Sequence, residues 1–221
     1  SCISVGTEMA GVKSTGQSLC RRILKQPEKV KMTLQMMKEQ GVKSTLGFVK
    51  SRLEVELPTG YSAAGEVIAV GSLVEGISVG ELVACAGAGI ANHAEVIDVP
   101  VNLVAKIPEG VEVNQASTVT LGAIAMQGVR RTEPTLGETV VVVGLGILGQ
   151  ITEQLLRANG CRVIGVDIDP DRVDLALENG MNFGVDPSKE NYVERVHKLT
   201  DGFGCDAVVV TAASQSNKII S

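Results

Sequence analysis

Three glycines in one short run carry the clearest chemical signal in the chain. They stand as Gly144-Leu145-Gly146-Ile147-Leu148-Gly149, directly after four valines and directly before a helical pattern. Each has its own task in such a turn. Gly144 permits the tight bend, Gly146 lets the backbone approach a pyrophosphate, and Gly149 lets the helix pack closely on its strand. The helix entrance then offers the N–H groups of Ile147 and Leu148, with a partial positive charge, to phosphate oxygens. Asp167 follows 23 residues after Gly144, at the end of the next strand pattern. A carboxylate there accepts hydrogen bonds from the adenosine ribose and repels the extra phosphate of NADP, so NAD is the expected cofactor and NADP the less favoured one. Arg172, one helical turn on, is placed to touch ribose or phosphate and soften that preference. Thr211 and Ala212, after a fourth strand, fall where a loop borders the cofactor. A flavin, S-adenosylmethionine, or a glycine turn with no ligand are the competing readings of the motif.

The elements that must hold these residues alternate strictly from about Ala116. A helix over Ala116–Arg130 leads into strands at Val140–Val143, Arg162–Val166, Phe183–Val185 and Ala207–Val210. Helices fall between them at Leu148–Ala158, Asp171–Asn179 and Asn191–Leu199. Valine-rich strands alternating with helices describe a parallel sheet covered on both faces. Asp169 caps the second helix with Pro170 at its first position, and Gly160 and Gly180 suit helix exits.

The preceding stretch, 59–112, reads differently. Glycines punctuate short strands at Glu66–Val70, Leu82–Ala84, His93–Val99 and Leu103–Ile107, which suggests a compact β barrel. Residues 9–58 read as helical and basic, with ten Lys or Arg against four acids, and residues 1–8 as a short strand and turn.

Composition bounds the function. The whole chain carries a net charge of −5 and a pI near 5.2, which argues against a nucleic-acid surface. Mean hydropathy is +0.22, yet the longest uncharged stretch, Val113–Val129, is too short and polar to cross a bilayer. The five cysteines are odd in number and unpaired in spacing, which fits free thiols in a reducing cytoplasm. Ser1 stands inside structured sequence without a Met, and Ser221 follows an apolar strand, so both ends read as cut.

Several runs together resemble the medium-chain dehydrogenase/reductase superfamily, the zinc-type alcohol dehydrogenase-like enzymes. They are Gly6-Thr7-Glu8, Gly60-Tyr61-Ser62-Ala63-Ala64-Gly65-Glu66-Val67, Val79-Gly80-Glu81-Leu82-Val83-Ala84, and Leu136-Gly137-Glu138-Thr139-Val140 with the glycine run after it. The basic insertion, the stretch from Gly87-Ala88-Gly89 to Asn92-His93-Ala94-Glu95, and Leu121-Gly122-Ala123-Ile124-Ala125 are most similar to the N-terminal module of bi-domain oxidoreductases. The resemblance implies an α/β fold: a GroES-like β-rich catalytic domain over 1–115, with its helical insertion at about 9–58, joined to a Rossmann domain over 116–221 that is incomplete at its C-terminus. It also implies a second oxidoreductase domain further along the full-length protein, a homo-oligomer, and a sugar or polyol derivative as the small-molecule substrate.

Relatives with a catalytic zinc bind it at positions that here read Val5, Tyr61 and about Leu121, none of them a good ligand, and the four-cysteine zinc lobe is absent. The resemblance therefore implies no zinc. Thr7 matches the family's hydroxyl proton relay. Tyr61 replaces a zinc-binding His and can donate a proton or hydrogen bond to the substrate oxygen; a packing tyrosine with a wet hydroxyl is the plainer alternative. Glu8 is read as structural, His93 as a satisfied structural histidine and His197 as solvent-exposed.

The leading expectation is an NAD-dependent, zinc-independent oxidoreductase that moves hydride to or from an alcohol or carbonyl carbon. An NADPH-dependent quinone or enone reductase is one alternative. A non-catalytic dinucleotide-binding module of a larger protein is the other.

Overall fold

The computed structural model describes Ser1, Gly41 and residues 59–212. Its first sheet has three antiparallel strands in the order β1 (Ser62–Glu66), β2 (Leu82–Ala86), β3 (Val104–Lys106). Ser62 lies opposite Ala86, and Val83 opposite Lys106. Ala63, Val83, Cys85 and Ala91 form a small core beneath it.

Three expectations for this region need correction. The strand expected at Glu66–Val70 is centred earlier, at Ser62–Glu66; past it, the Val67 N–H still donates to the Glu81 carbonyl before the chain turns away. The stretch expected as a strand at His93–Val99 pairs with no strand among the described residues. Its start is folded into tight turns, with the Ala94 N–H donating to the Asn92 carbonyl, while Ile97 and Val99 pack on the small core. Alternating burial alone does not make a strand without a ladder partner. The run expected at Leu103–Ile107 contracts to β3, after a 3-10 turn at Val101–Leu103.

The helix expected over Ala116–Arg130 is broken in two: α1 (Val113–Ala116) and α2 (Val119–Thr132). A buried hydroxyl sits at the break. Ser62 Oγ donates to the Ser117 carbonyl at 2.6 Å and accepts from the Thr120 N–H at 3.2 Å. It ties β1 to the start of α2 and so connects the first sheet to the second.

The second sheet is parallel, in the order β6 (Phe183–Val185), β5 (Arg162–Val166), β4 (Thr139–Val143), β7 (Ala207–Val210). The valine run of β4 splits between the two faces. Val140 and Val142 pack with Leu145, Leu156, Val163, Val173, Ala176 and Met181, under α2, α3 (Ile147–Ala158) and α4 (Pro170–Glu178). Val141 packs with Ile164, Val166, Val185 and Val196, under α5 (Tyr192–Leu199). A strand buried on both faces requires the unbroken apolar run seen here. The expected cap forms, with Asp169 accepting from the Asp171 N–H and Pro170 behind it, and Asn191 caps α5 by accepting from the Val193 and Glu194 N–H groups. Gly160 and Gly180 close α3 and α4 at φ +86° and +97°.

The chain runs outward from β4 through β5 to β6, then returns to the other side of β4 as β7. The order reverses at β4, and the loops that leave β4 and β7 diverge there. In open parallel sheets that reversal is where ligands bind.

Candidate functional site

The glycine turn occupies that reversal. Gly144 adopts φ +96°, and a side chain on it would strike the backbone of Ala212 at 2.6 Å. Gly149 has ordinary dihedrals, but a Cβ there would overlap the Gly144 carbonyl oxygen and crowd Thr211 Oγ1. These two glycines are dictated by the protein's own packing. Gly146 is different. It is the N-cap of α3 at φ −66°, ψ −175°, a conformation open to any residue, and a Cβ there meets no atom of the described residues within 4 Å. Among the described residues nothing requires glycine at 146, and the space in front of it is open. No side chain among the described residues caps α3, and the first-turn N–H groups of Ile147 and Leu148 have no acceptor within the helix, so they are the groups that could hold a phosphate.

The loop is clamped from two sides. Thr211 Oγ1 donates to the Gly144 carbonyl at 2.5 Å, and the Thr211 and Ala212 N–H groups both donate to the Val143 carbonyl. On the other side Asp167 is buried, and its Oδ2 accepts from the Leu145 N–H at 2.6 Å while Oδ1 accepts from the Asp169 N–H at 2.9 Å. A carboxylate offers about four lone-pair positions, so capacity remains for ribose hydroxyls. Asp167 therefore holds the turn, which its position in the sequence does not reveal. Arg172, half exposed, lies 3.7 Å from Asp167 Oδ2 and 3.2 Å from Asp169 Oδ2. Ile168, beside Asp167, is 75% exposed, an apolar surface on the same rim.

Gly144, Gly146, Ile147, Leu148, Gly149, Asp167, Arg172, Thr211 and Ala212 thus converge on one edge of the sheet. Tyr61 stands apart from them. It is half-buried, and its carbonyl accepts from the Gly87 N–H at 3.0 Å and Thr120 Oγ1 at 3.3 Å. Thr7, Glu8, Val5 and the basic insertion lie outside the described residues. His93 Nδ1 lies 2.8 Å from Ser1 Oγ, and His197 Nδ1 lies 3.3 Å from the Gly202 carbonyl.

A family model described as zinc-binding dehydrogenase matches residues 148–218, which contain most of this edge. The D-guloside 3-dehydrogenase of Escherichia coli is 34% identical over 155 residues, covering 69% of this chain and 44% of that protein. The quinone oxidoreductase of Pseudomonas aeruginosa is 34% identical over 157 residues, covering 69% of this chain and 48% of that one. A mycobacterial protein solved with NADPH superposes with a TM-score of 0.62 at 30% identity, covering 72% of this chain and 51% of that one. The chain belongs to the medium-chain dehydrogenase/reductase superfamily. It spans about half the length of these curated relatives. Zinc is a common metal in medium-chain dehydrogenases, but the donors here do not suit it. Tyr61 and the buried Leu121, which the resemblance sets at two of the zinc-ligand positions, are not good zinc donors, and among the described residues no three His, Cys, Asp or Glu side chains gather. No helix among the described residues is long and apolar enough to cross a membrane.

Two residues at this edge of the sheet escape a reading by motif. Ile168 carries no pattern, although its place directly after Asp167 marks it. Gln150, one residue past the last glycine, is buried. Its Nε2 donates to the Leu145 carbonyl at 3.2 Å and the Arg172 carbonyl at 2.8 Å. Its signal is weak because both partners are backbone carbonyls, which no sequence spells out.

Proposed function

We propose that the chain is the dinucleotide-holding part of an NAD(H)-dependent, zinc-independent oxidoreductase acting on an alcohol or carbonyl carbon, with a sugar or polyol derivative as substrate. The observation that carries this reading is the space in front of Gly146, open among the described residues, in a loop whose other two glycines are explained by packing. The nicotinamide dinucleotide supplies or accepts the hydride. The chain's own groups bind and orient it. The α3 N–H groups and helix dipole hold the pyrophosphate, Asp167 accepts from the ribose, and exposed Ile168 offers an apolar face to the purine. Two carboxylates, Asp167 and Asp169, surround Arg172 and neutralise the cation that a 2′-phosphate would need, which favours NADH. Tyr61 is the candidate proton donor to the substrate oxygen.

A second reading, NADPH-dependent reduction of quinones or enones, is favoured by the half-exposed guanidinium of Arg172, which can swing from Asp169 to a phosphate. The relatives include both classes of enzyme. Direct titration of NADH and NADPH, read by the cofactor's own fluorescence in a chain without Trp, tests both readings. Saturable binding with NADH preferred supports the first, and NADPH preferred supports the second. Binding of neither refutes the cradle.

A further inference from the structure

Gln150 is a buried amide with an unusual distribution of partners. Its single Nε2 donates to two carbonyls on two different elements, Leu145 in the glycine loop and Arg172 in the first turn of α4. Its Oε1 is equally buried and meets no hydrogen-bond partner among the described residues. Leaving a buried acceptor unpaired costs free energy. Flipping the amide would not relieve it, because the oxygen would then face two carbonyl oxygens. An apolar side chain of similar length would fill the same space without the orphaned oxygen. The geometry is explained if the amide hydrogens are needed where they are.

What they join is informative. The Leu145 peptide lies between the bend at Gly144 and the cradle at Gly146, and its N–H is the one held by Asp167. Arg172 carries the guanidinium that pairs with Asp167 and Asp169. One element of the proposed site addresses the pyrophosphate, and the other addresses the ribose and any phosphate on it. The same flank of α3 carries a second tie one and two turns later. Buried Glu153 faces Arg157 at 3.5 Å, and Arg157 Nη1 donates to the Asn179 carbonyl at the far end of α4. That tie holds the end of α4 away from the ligand edge. Gln150 holds the end that faces it.

We infer that Gln150 is a positioning residue: it locks the glycine loop to the first turn of α4, so that the pyrophosphate cradle and the ribose-reading carboxylates keep one fixed spacing. The consequence for ligands rests on the dinucleotide reading above; the mechanical coupling does not. Losing the amide frees Arg172 from its fixed station and weakens discrimination between NADH and NADPH more than it weakens binding itself.

The test compares the wild-type chain with Gln150→Met, which keeps length and burial but has no donor. Amide hydrogen exchange of the ligand-free proteins is followed over residues 144–149 and 169–175, with β1 and β2 as the internal reference. Coupling predicts that both segments exchange faster together, by about tenfold, while β1 and β2 are unchanged. The ratio of NADPH to NADH dissociation constants moves toward one by at least about threefold. Faster exchange in only one segment, or in neither, overturns the inference. So does a uniform rise everywhere with an unchanged ratio, which would make Gln150 a packing residue. If Gln150→Met does not fold, wild-type exchange in a low-denaturant series decides: a shared opening of the two segments supports the lock, and separate openings overturn it. Failure of the wild-type chain to bind either dinucleotide refutes the proposed function, and the exchange comparison still decides the coupling.

Discussion

Replacing Gly146 by Ala separates what the fold needs from what a ligand needs. The backbone at 146 has φ −66° and ψ −175°, and the added methyl would meet no atom of the described residues within 4 Å. Two small effects on stability then oppose each other. Ala is a poorer N-cap than Gly, at a cost of about 0.5–1 kcal/mol. Gly→Ala at an unstrained position narrows the unfolded ensemble and stabilises by about 0.4–1 kcal/mol. The net change is within about 0.5 kcal/mol, or roughly 2 °C in Tm for a chain of this size. Binding should respond very differently, because the methyl occupies the space where phosphate must approach the α3 N–H groups. Loss of one hydrogen bond to a charged oxygen is worth about 1.5–3 kcal/mol, which is roughly 10- to 150-fold in Kd. Far-UV circular dichroism melting gives the first number and NADH fluorescence titration the second. Gly149→Ala is the control: its Cβ overlaps the Gly144 carbonyl oxygen, so it should lose about 1–3 kcal/mol of stability before any ligand is added. A Gly146→Ala protein that binds NADH like the wild type would refute the cradle. One that fails to fold would refute the claim that packing leaves this position open.

Three other substitutions probe the rest of the frame. Asp167→Ala strips acceptors from the Leu145 and Asp169 N–H groups, so it should cost about 1–3 kcal/mol by chemical denaturation and also weaken NADH and narrow its advantage over NADPH; unchanged NADH affinity would count against its ribose role. Ser62→Ala removes the hydroxyl between β1 and the start of α2 and should lower stability by about 1–3 kcal/mol, measured the same way, with little effect on NADH. Burial holds the Glu153 carboxyl above the usual carboxylate range, with Arg157 only partly opposing. The fold therefore prefers the protonated acid; stability is fully present below the unfolded-state pKa of about 4.3 and is lost as pH rises through the higher native value. Glu153→Gln should melt higher than the wild type at pH 8 and equal it near pH 4, whereas equal melting at both would show that burial does not disfavour the charge.

The parallel sheet was readable because its residues obey one rule at a time. Arg162–Val166, Phe183–Val185 and Ala207–Val210 fall where the apolar runs and glycine exits place them, and Asp169 and Asn191 cap as their types demand. The first sheet was harder. Ser62, Ala63, Ala64 and Gly65 have little intrinsic strand preference, and they pair because β2 lies beside them. The stretch 93–99 shows the converse, a run with strand-forming residues that finds no partner strand among the described residues. At the site, the glycines, Asp167 and Thr211 were legible by spacing. The double duty of Asp167 and the bridging by Gln150 were not, since both depend on backbone groups brought together by the completed fold.

The clamp that Thr211 places on Gly144 spans 67 residues of chain. The β4–β5 ladder, by comparison, joins Thr139 to Arg162, and α3 packs locally between those strands. Pairings of short sequence separation close early and distant ones late. These separations predict that the glycine turn is assembled in two stages, with its outline set by β4, α3 and β5 and its final shape imposed when β7 arrives. Competence to hold a dinucleotide becomes a report on the last tertiary step, so NADH fluorescence recorded during refolding should lag behind the recovery of helix. Simultaneous recovery of both signals would show that the turn closes without its clamp.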